Sequence, residues 1–581
     1  MDYTSLLPVE TLCYVFVRAR CANPVPSAED VMKRDFAAQS AQIRGIRTLA
    51  WLNLTHVDSR WRKVAVDNPD LWTDVPVILG IEWMRAFVER SMDMAISIDW
   101  RSLEYMKSRY IDAAVPQVEN DILPLHYQRV SNLVVTLPRR LHHTLLQLLS
   151  TSWPKLEEID ITVSHDVSEL FALLNHDLPR LRCLTWRNSR ELVNVLFPWE
   201  APAIRSLTYL RLELPWGMHS SMMGRFLDAI ACIPSIEHLQ YQSLYIRHDS
   251  MPEPCLGCNA ARRVHLPSLK TLLLDTELYE SHHIMSHILP PAGIHVRLHD
   301  NIGPPINEDD MNERLSYTRN ICSQLVVWYQ GLDTFPPFVF AGLFQASSQH
   351  CHMWLSRSTV PPTVVPVSNW HQGIDGHQTD LEIVFAVTEG YFPSAMMAIL
   401  QSLTPQSILA ISFDASIRVF SSLMTSFLDP IFRNVVALHF PEENGGFCLQ
   451  ALSKPSNAMI PFPQLKVLAF TNSALRGLLS LVSNHAYDIE EDSLENYVSA
   501  RRAIGAPIHT VYLGAMVEVQ RARNGQITST TCAGHLSRFE IEIKSVINRL
   551  EALPEVVFLR EGTEALHNDG SWQRVVGSAQ G

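Results

Sequence analysis

Cys255 and Cys258, in "EPCLGCN", are spaced as two ligands of one metal ion would be, since thiolates three residues apart can both reach a zinc. A structural zinc site needs four ligands, and no second cysteine pair follows at the usual distance. His265, His282, His283 and His287 are the residues that could complete the set, with His283 and His287 one helical turn apart. The simpler reading is a loop with two free thiols, so neither a metal nor a cofactor is expected. Other chemistry has no better footing. The chain holds no phosphate-cradling Walker A loop, no G-x-S-x-G nucleophile elbow, no H-E-x-x-H helix and no EF-hand loop. Its 24 histidines are scattered and form no base-plus-nucleophile set. A non-catalytic chain is expected.

Composition narrows the class further. Apolar residues make up 47% of 581, enough for a large core. A net charge of −13 argues against a binder of phosphate backbones, which presents a basic face. The opening "MDYTSLLPVETLCYVFVRARC" has no basic n-region, and Pro8 and Glu10 interrupt its apolar run, so no signal peptide is expected. No run of about 18 apolar residues offers a membrane span. The ten cysteines are dispersed and form no disulfide framework, which suits a reducing compartment, cytosol or nucleus. The sequon at Asn53 is then a chance match.

The elements at the N-terminus are short helices. In "SLLPVETLCYVFVR" (5–18) Pro8 stands where a helix can begin, and Val9, Leu12, Cys13 and Phe16 form one apolar stripe. Pro24 and Pro26 punctuate a polar insertion over 20–44. Periodicity resumes with Ala50, Leu54, Val57, Trp61 and Val64, which predicts a single amphipathic helix ended at Asn68-Pro69. Leu71-Trp72 comes directly after.

These residues carry a resemblance. "LLPVETLCYVF" and then "LNLTHVDSRWRKVAVDNPDLWTDV" resemble the F-box, in the F-box-like form abundant in fungi. The matching positions are Leu7, Pro8, Glu10, Leu12 and Phe16, then Leu54, Val57, Arg60, Trp61 and Ala65, then Pro69, Leu71 and Trp72. "WMRAFVERSMDMAISIDW" (83–100) is similar to the helix-plus-strand unit that trails the module in such proteins. The resemblance implies that residues 1–75 dock on a Skp-type adaptor and, through it, a cullin. It implies that Leu7, Pro8, Leu12, Phe16, Leu54, Val57, Trp61, Leu71 and Trp72 lie on or directly beneath the docking surface. The plain alternative for any one of them, Trp61 and Trp72 included, is that it closes a small helical core.

Beyond 76–129, read as connecting helices and a first strand unit, the chain repeats. Apolar-x-x-apolar-x-apolar begins at residues 130, 156, 181, 207, 236, 269, 408, 435, 465 and 508, mostly 25–33 residues apart, the period of a leucine-rich repeat. Weaker matches at 293, 322, 350 and 381 fill the long gap, and "LPEVVF" at 553 closes the array. Each unit offers a short strand that cannot bury its apolar face alone. The predicted fold class is therefore α/β: the helical F-box-like module, then a curved, irregular leucine-rich-repeat-like solenoid with a parallel β-sheet over 130–581. An ordinary α/β domain rich in strands is the competing expectation.

Alternation along each strand sends one set of residues away from the core, onto the concave face where such repeats bind. That set begins polar, with Glu158, Asp160, Thr162, Thr185, Arg187, Arg211 and Glu213. At the weaker repeats it becomes Trp328, Trp354, Ile383 and Phe385, an aromatic patch that would suit a protein substrate. A register slip of one residue would instead turn all four into core. The expected function is a substrate receptor of a cullin-RING ubiquitin ligase, binding adaptor and protein substrate but neither nucleic acid nor membrane. A scaffold unconnected with ubiquitin transfer is the alternative, and an enzyme on a repeat fold is a more distant one.

Overall fold

A computed structural model describes residues 7–22, 49–99, 122–137, 151–163, 173–176, 178–188, 197–216, 220–245, 262–301, 307–330, 340–345, 350–357, 381–386, 391–403, 408–414, 430–440, 461–470, 493–513 and 557–560, with a few isolated positions between them. The chain divides into two compact units, Met1–Leu269 and Lys270–Gly581. The boundaries expected near 75 and 129 both fall inside the first.

The first unit opens with helix α1 (Val9–Ala22), a 3-10 turn (Ala50–His56), helix α2 (Ser59–Val66) and a second 3-10 turn (Pro69–Trp72). The one helix predicted across 50–64 is thus two pieces. Asp58 separates them: it is extended, and its carboxylate accepts from the Trp61 amide at 3.0 Å, an N-cap that starts α2 afresh. The break resets the helical phase, which brings Trp51 into the core and leaves Val57 exposed.

Strand β1 (Asp74–Val75), helix α3 (Ile81–Arg90) and strand β2 (Ile96–Asp99) come next. After them the chain forms β3 (Val130–Leu137), β4 (Glu158–Val163), β5 (Cys183–Asn188), β6 (Tyr209–Trp216), helix α4 (Ser220–Ala231) and β7 (His238–Tyr245). All seven strands pair in chain order and in parallel. Their apolar residues align across the sheet. Ile98, Leu133, Ile159, Leu184, Leu210 and Leu239 make one row, and Val135, Ile161, Trp186, Leu212 and Tyr241 the next, each at most 1% exposed.

One turn recurs ahead of the strands. The amides of Leu156, Leu181, Leu207, Ile236, Leu269, Val435 and Leu465 each donate to the carbonyl three residues earlier, at 3.0–3.2 Å. Those earlier residues are Trp153, Leu178, Ile204, Ile233, Leu266, Phe432 and Phe462, all buried. The repeating unit therefore carries a further apolar anchor three positions before the hexapeptide pattern. The turn aims both anchors under the sheet and feeds the chain into the next strand.

The second unit runs β8 (Thr271–Asp275), α5 (Leu278–His287), β9 (His295–His299), α6 (Glu308–Gln330), β10 (Phe340–Gln345), β11 (His350–Ser356), β12 (Leu381–Ala386) and α7 (Tyr391–Leu403). It ends with β13 (Ala410–Asp414), β14 (Ala437–Phe440), β15 (Val467–Phe470), α8 (Ser493–Ala503), β16 (Thr510–Leu513) and β17 (Val557–Arg560). Spatial order is β8–β9–β12–β11–β10–β13–β14–β15–β16–β17. Within this sheet every pairing is parallel except those of β11, which runs antiparallel to both neighbours. Each unit is thus α/β with a mostly parallel sheet.

The middle of the array corrects the expectation. "CSQLVV" (322–327), read as a strand, lies inside the 23-residue helix α6. Besides Arg314, its buried residues are Leu315, Thr318, Ile321, Cys322, Leu325, Trp328 and Tyr329, a spacing of three and four. Six residues cannot distinguish the two periods, whereas the longer stretch can. The strand of that region is β10, which the hexapeptide pattern missed. Arg501, on α8, is buried and donates to the carbonyls of Pro461, Phe462, Leu465 and Ala506, tying the turn before β15 to the end of the helix.

Candidate protein-interaction surfaces

The N-terminal helices close on one aromatic core. Phe16 meets the edges of Trp51 and Trp61, Trp51 meets Trp72, and Trp72 packs on Phe87 of α3 at 4.8 Å between centroids. The Trp72 indole donates to the Ala65 carbonyl at 2.9 Å, and the Arg90 guanidinium lies 4.2 Å over its ring. Two arginines fasten α1. Arg20 reaches the Asp74 carboxylate at 2.7 Å and donates to the Asp70 carbonyl, while Arg60 on α2 donates to the Leu7 carbonyl.

This core sorts the residues that the resemblance implied. Leu12, Phe16, Trp61, Leu71 and Trp72 are buried among themselves, beneath the surface and not on it. Leu7 and Leu54 are half-buried and pack against the same core. Pro8 and Val57 are exposed. The stripe expected on α1 also splits, because Val9 is 48% exposed while Leu12 and Phe16 point inward. The outward apolar residues of α1 are Val9, Tyr14 and Val17, with Cys13 half-buried between them. Val9 and Val17 both face outward, while Cys13, halfway between them, packs against the core.

The second surface is the polar face of the first unit's sheet. Register aligns Asn132, Glu158, Cys183, Tyr209 and His238 in one row, then Val134, Asp160, Thr185, Arg211 and Gln240, then Thr162, Arg187, Glu213 and Gln242. Arg187 is the hub. Its guanidinium spans both Asp160 oxygens, at 2.7 and 2.9 Å, and Glu213 at 3.0 Å, and Arg211 holds the same Glu213 oxygen at 2.5 Å. Burial alone would lower the Arg187 pKa, but Asp160 and Glu213 outweigh it and raise it. Glu158 stands outside this chain of charges and accepts from the Asn132 amide at 2.9 Å. Partial burial and then Asp160 push its carboxyl upward. Burial and then Glu158 do the same to the neighbouring Cys183 thiol, so it is no ready nucleophile.

No known protein-family model matches the chain, and no curated protein does.

Of the residues proposed for an aromatic patch, those whose side chains are described do not gather into one. Trp328 lies on α6 and is buried at 6% exposure. Ile383 is buried as well, as the slipped register would have it. Trp354 is half-buried on β11, on the face opposite Met353 and Leu355, and its indole lies flat on Gly342 of the next strand. A Cβ there would stand 2.0 Å from the ring. The Phe385 backbone pairs with Cys351, and its side chain lies outside what is described.

The metal candidates separate in the same way. Cys255 and Cys258 lie outside the described residues. His265 is exposed on a two-residue strand, while His282, His283 and His287 sit on α5. Burial, then His287 and His282, lowers the His283 pKa to about 4, and burial lowers that of His282, so both imidazoles are neutral at pH 7. Among the described residues no three His, Cys, Asp or Glu side chains are arranged to hold a metal. The seven described cysteines are free thiols, and no described helix is long and apolar enough to cross a membrane.

A carboxylate cluster that the sequence did not announce lies just past the ends of β8 and β9. Asp300 and Glu280 are buried, and Arg314 of α6 grips Asp310 at 2.8 Å and faces Asp300 at 3.7 Å. Glu280 accepts from Thr276. Burial, then Glu280 and Asp300, raises Glu277 to about 7.

Proposed function

We propose that the protein is a non-catalytic substrate receptor of a cullin-RING ubiquitin ligase. The single observation that carries this is the N-terminal helical core, which buries three tryptophans yet leaves Val9, Tyr14, Val17 and Val57 facing solvent. A small module that turns apolar side chains outward gains by covering them with a partner. The residue pattern that resembles the F-box makes that partner the Skp-type adaptor. Behind the module, parallel strands from a 25–33-residue repeat support a leucine-rich-repeat-like solenoid whose polar face holds a protein substrate. Catalysis then resides in partner subunits, and this chain contributes proximity and orientation.

The test is co-purification with a Skp-type adaptor, comparing the parent with Val9→Glu/Val17→Glu. Both side chains point outward, so the variant keeps its helical signal by circular dichroism while adaptor recovery drops at least tenfold. Equal recovery would remove the ligase reading and leave a scaffold.

A further inference from the structure

Helix α5 carries three histidines, His282, His283 and His287, and their rings form part of its contact with α6. Tyr279 of α5 meets Tyr317 of α6 edge-on at 5.4 Å between centroids, and the His282 ring lies 6.3 Å from the same Tyr317. His283 is 6.3 Å from Tyr279 and 4.9 Å from His287. His287 is 2% exposed, while His282 and His283 are half-buried. The acids nearest this cluster along each helix are engaged. Glu280 accepts from Thr276, and Glu313 accepts from the Tyr317 hydroxyl at 3.1 Å. Glu277, Asp300 and Asp310 gather with Arg314 around the start of α5.

We infer that the contact between α5 and α6 is pH-responsive, closed while these three imidazoles are neutral and loosened when they take up protons. A proton on His283 places a charge in half-buried surroundings, 4.9 Å from a second imidazole that is itself buried. Two favourable effects are weaker than that cost. The tyrosine rings stand 6.3 Å from the nearest imidazoles, at the outer limit of a cation–π contact. The carbonyl end of α5 attracts cations only within its last turn, and His282 and His283 precede that turn. Burial, then His287 and His282, accordingly lower the His283 pKa to about 4, and burial lowers that of His282. The stability that His283 gives is complete above its ordinary value of 6.5 and is lost as pH falls toward 4. Glu277 works in the opposite sense, because its pKa is raised to about 7. Acidification therefore tightens the start of α5 while it loosens the ring cluster.

The experiment is amide hydrogen exchange on the full chain at pH 7 and pH 5, read by mass spectrometry and corrected for the intrinsic rate at each pH. Parent and His283→Gln are compared over α5, with β5 of the first unit as the reference. Glu277 is present in both chains, so its opposite titration cancels. Moving from pH 7 to pH 5 should cost α5 of the parent about tenfold more protection than it costs α5 of the variant, after allowance for partial exposure. Protection of β5 should change by the same factor in both chains. Should His283→Gln lose α5 protection already at pH 7, His282→Gln takes its place in the same comparison and should show the same sign. Equal pH dependence of α5 in the parent and the folded variant would overturn the inference. So would a difference between the chains at β5 as large as that at α5, because the histidines would then act through the whole molecule and not through this contact.

Discussion

At the scale of single residues, burial and partnership decide what a side chain does. Trp72 shows it: the indole is 1% exposed, hydrogen-bonded to Ala65 and covered by Arg90. Trp72→Ala should cost about 3–5 kcal/mol, the usual loss for a large buried aromatic, measured as a shift in denaturant midpoint. A loss under about 1 kcal/mol would show the ring to be peripheral. Glu277 makes a second case through its proton. Its folded pKa, about 7, lies above the ordinary 4.5, so the folded state holds a proton that the unfolded chain releases. Stability from this group is therefore greatest below about pH 4.5, falls as pH rises toward 7, and stays low above it. Thermal midpoints taken from pH 5 to 8 should decline, and Glu277→Gln should flatten the decline and be the more stable protein at pH 8. An unchanged slope in the variant would place the titration elsewhere.

At the scale of elements, the helical module does not end where its residue pattern ends. Phe87 of α3 packs on both Trp51 and Trp72, and β1 pairs with β2, which in turn pairs with β3. Residues 1–75 therefore share a core with α3 and a sheet with β2 and β3. Deleting them should uncover Phe87 and the edge of β2, and should lower the stability of the first unit along with any loss of adaptor. Limited proteolysis of the 76–581 fragment should then cleave near β2 much faster than in the full chain. If both resist alike, the module is an independent bead. This is why substitutions of outward residues on α1 test docking more cleanly than truncation does.

At the scale of the whole molecule, each unit is a stack of short strands whose buried rows run from one repeat to the next. Period-two alternation and a 25–33-residue spacing were enough to read β3 to β9 and β11 to β17 from the residues, because each strand repeats the same local pattern. The polar face with Glu158, Asp160, Arg187, Arg211 and Glu213 was legible for the same reason. The pattern gave way where local periods compete or where the partner is distant in sequence. "CSQLVV" fits strand and helix equally over six residues, and only packing along the 23 residues of α6 decides between them. The Asp58 cap shifts the phase of 50–64 by a side-chain hydrogen bond that no periodicity records. Strand order β12–β11–β10, the Arg187 hub and the Glu277 cluster join groups from different strands and helices. Residue order alone was sufficient to say which positions alternate, where the repeats fall and which residue pattern opens the chain. Which of the module's apolar side chains face outward, and which charges meet, was settled by the folded arrangement, because those outcomes depend on distances between segments far apart along the chain.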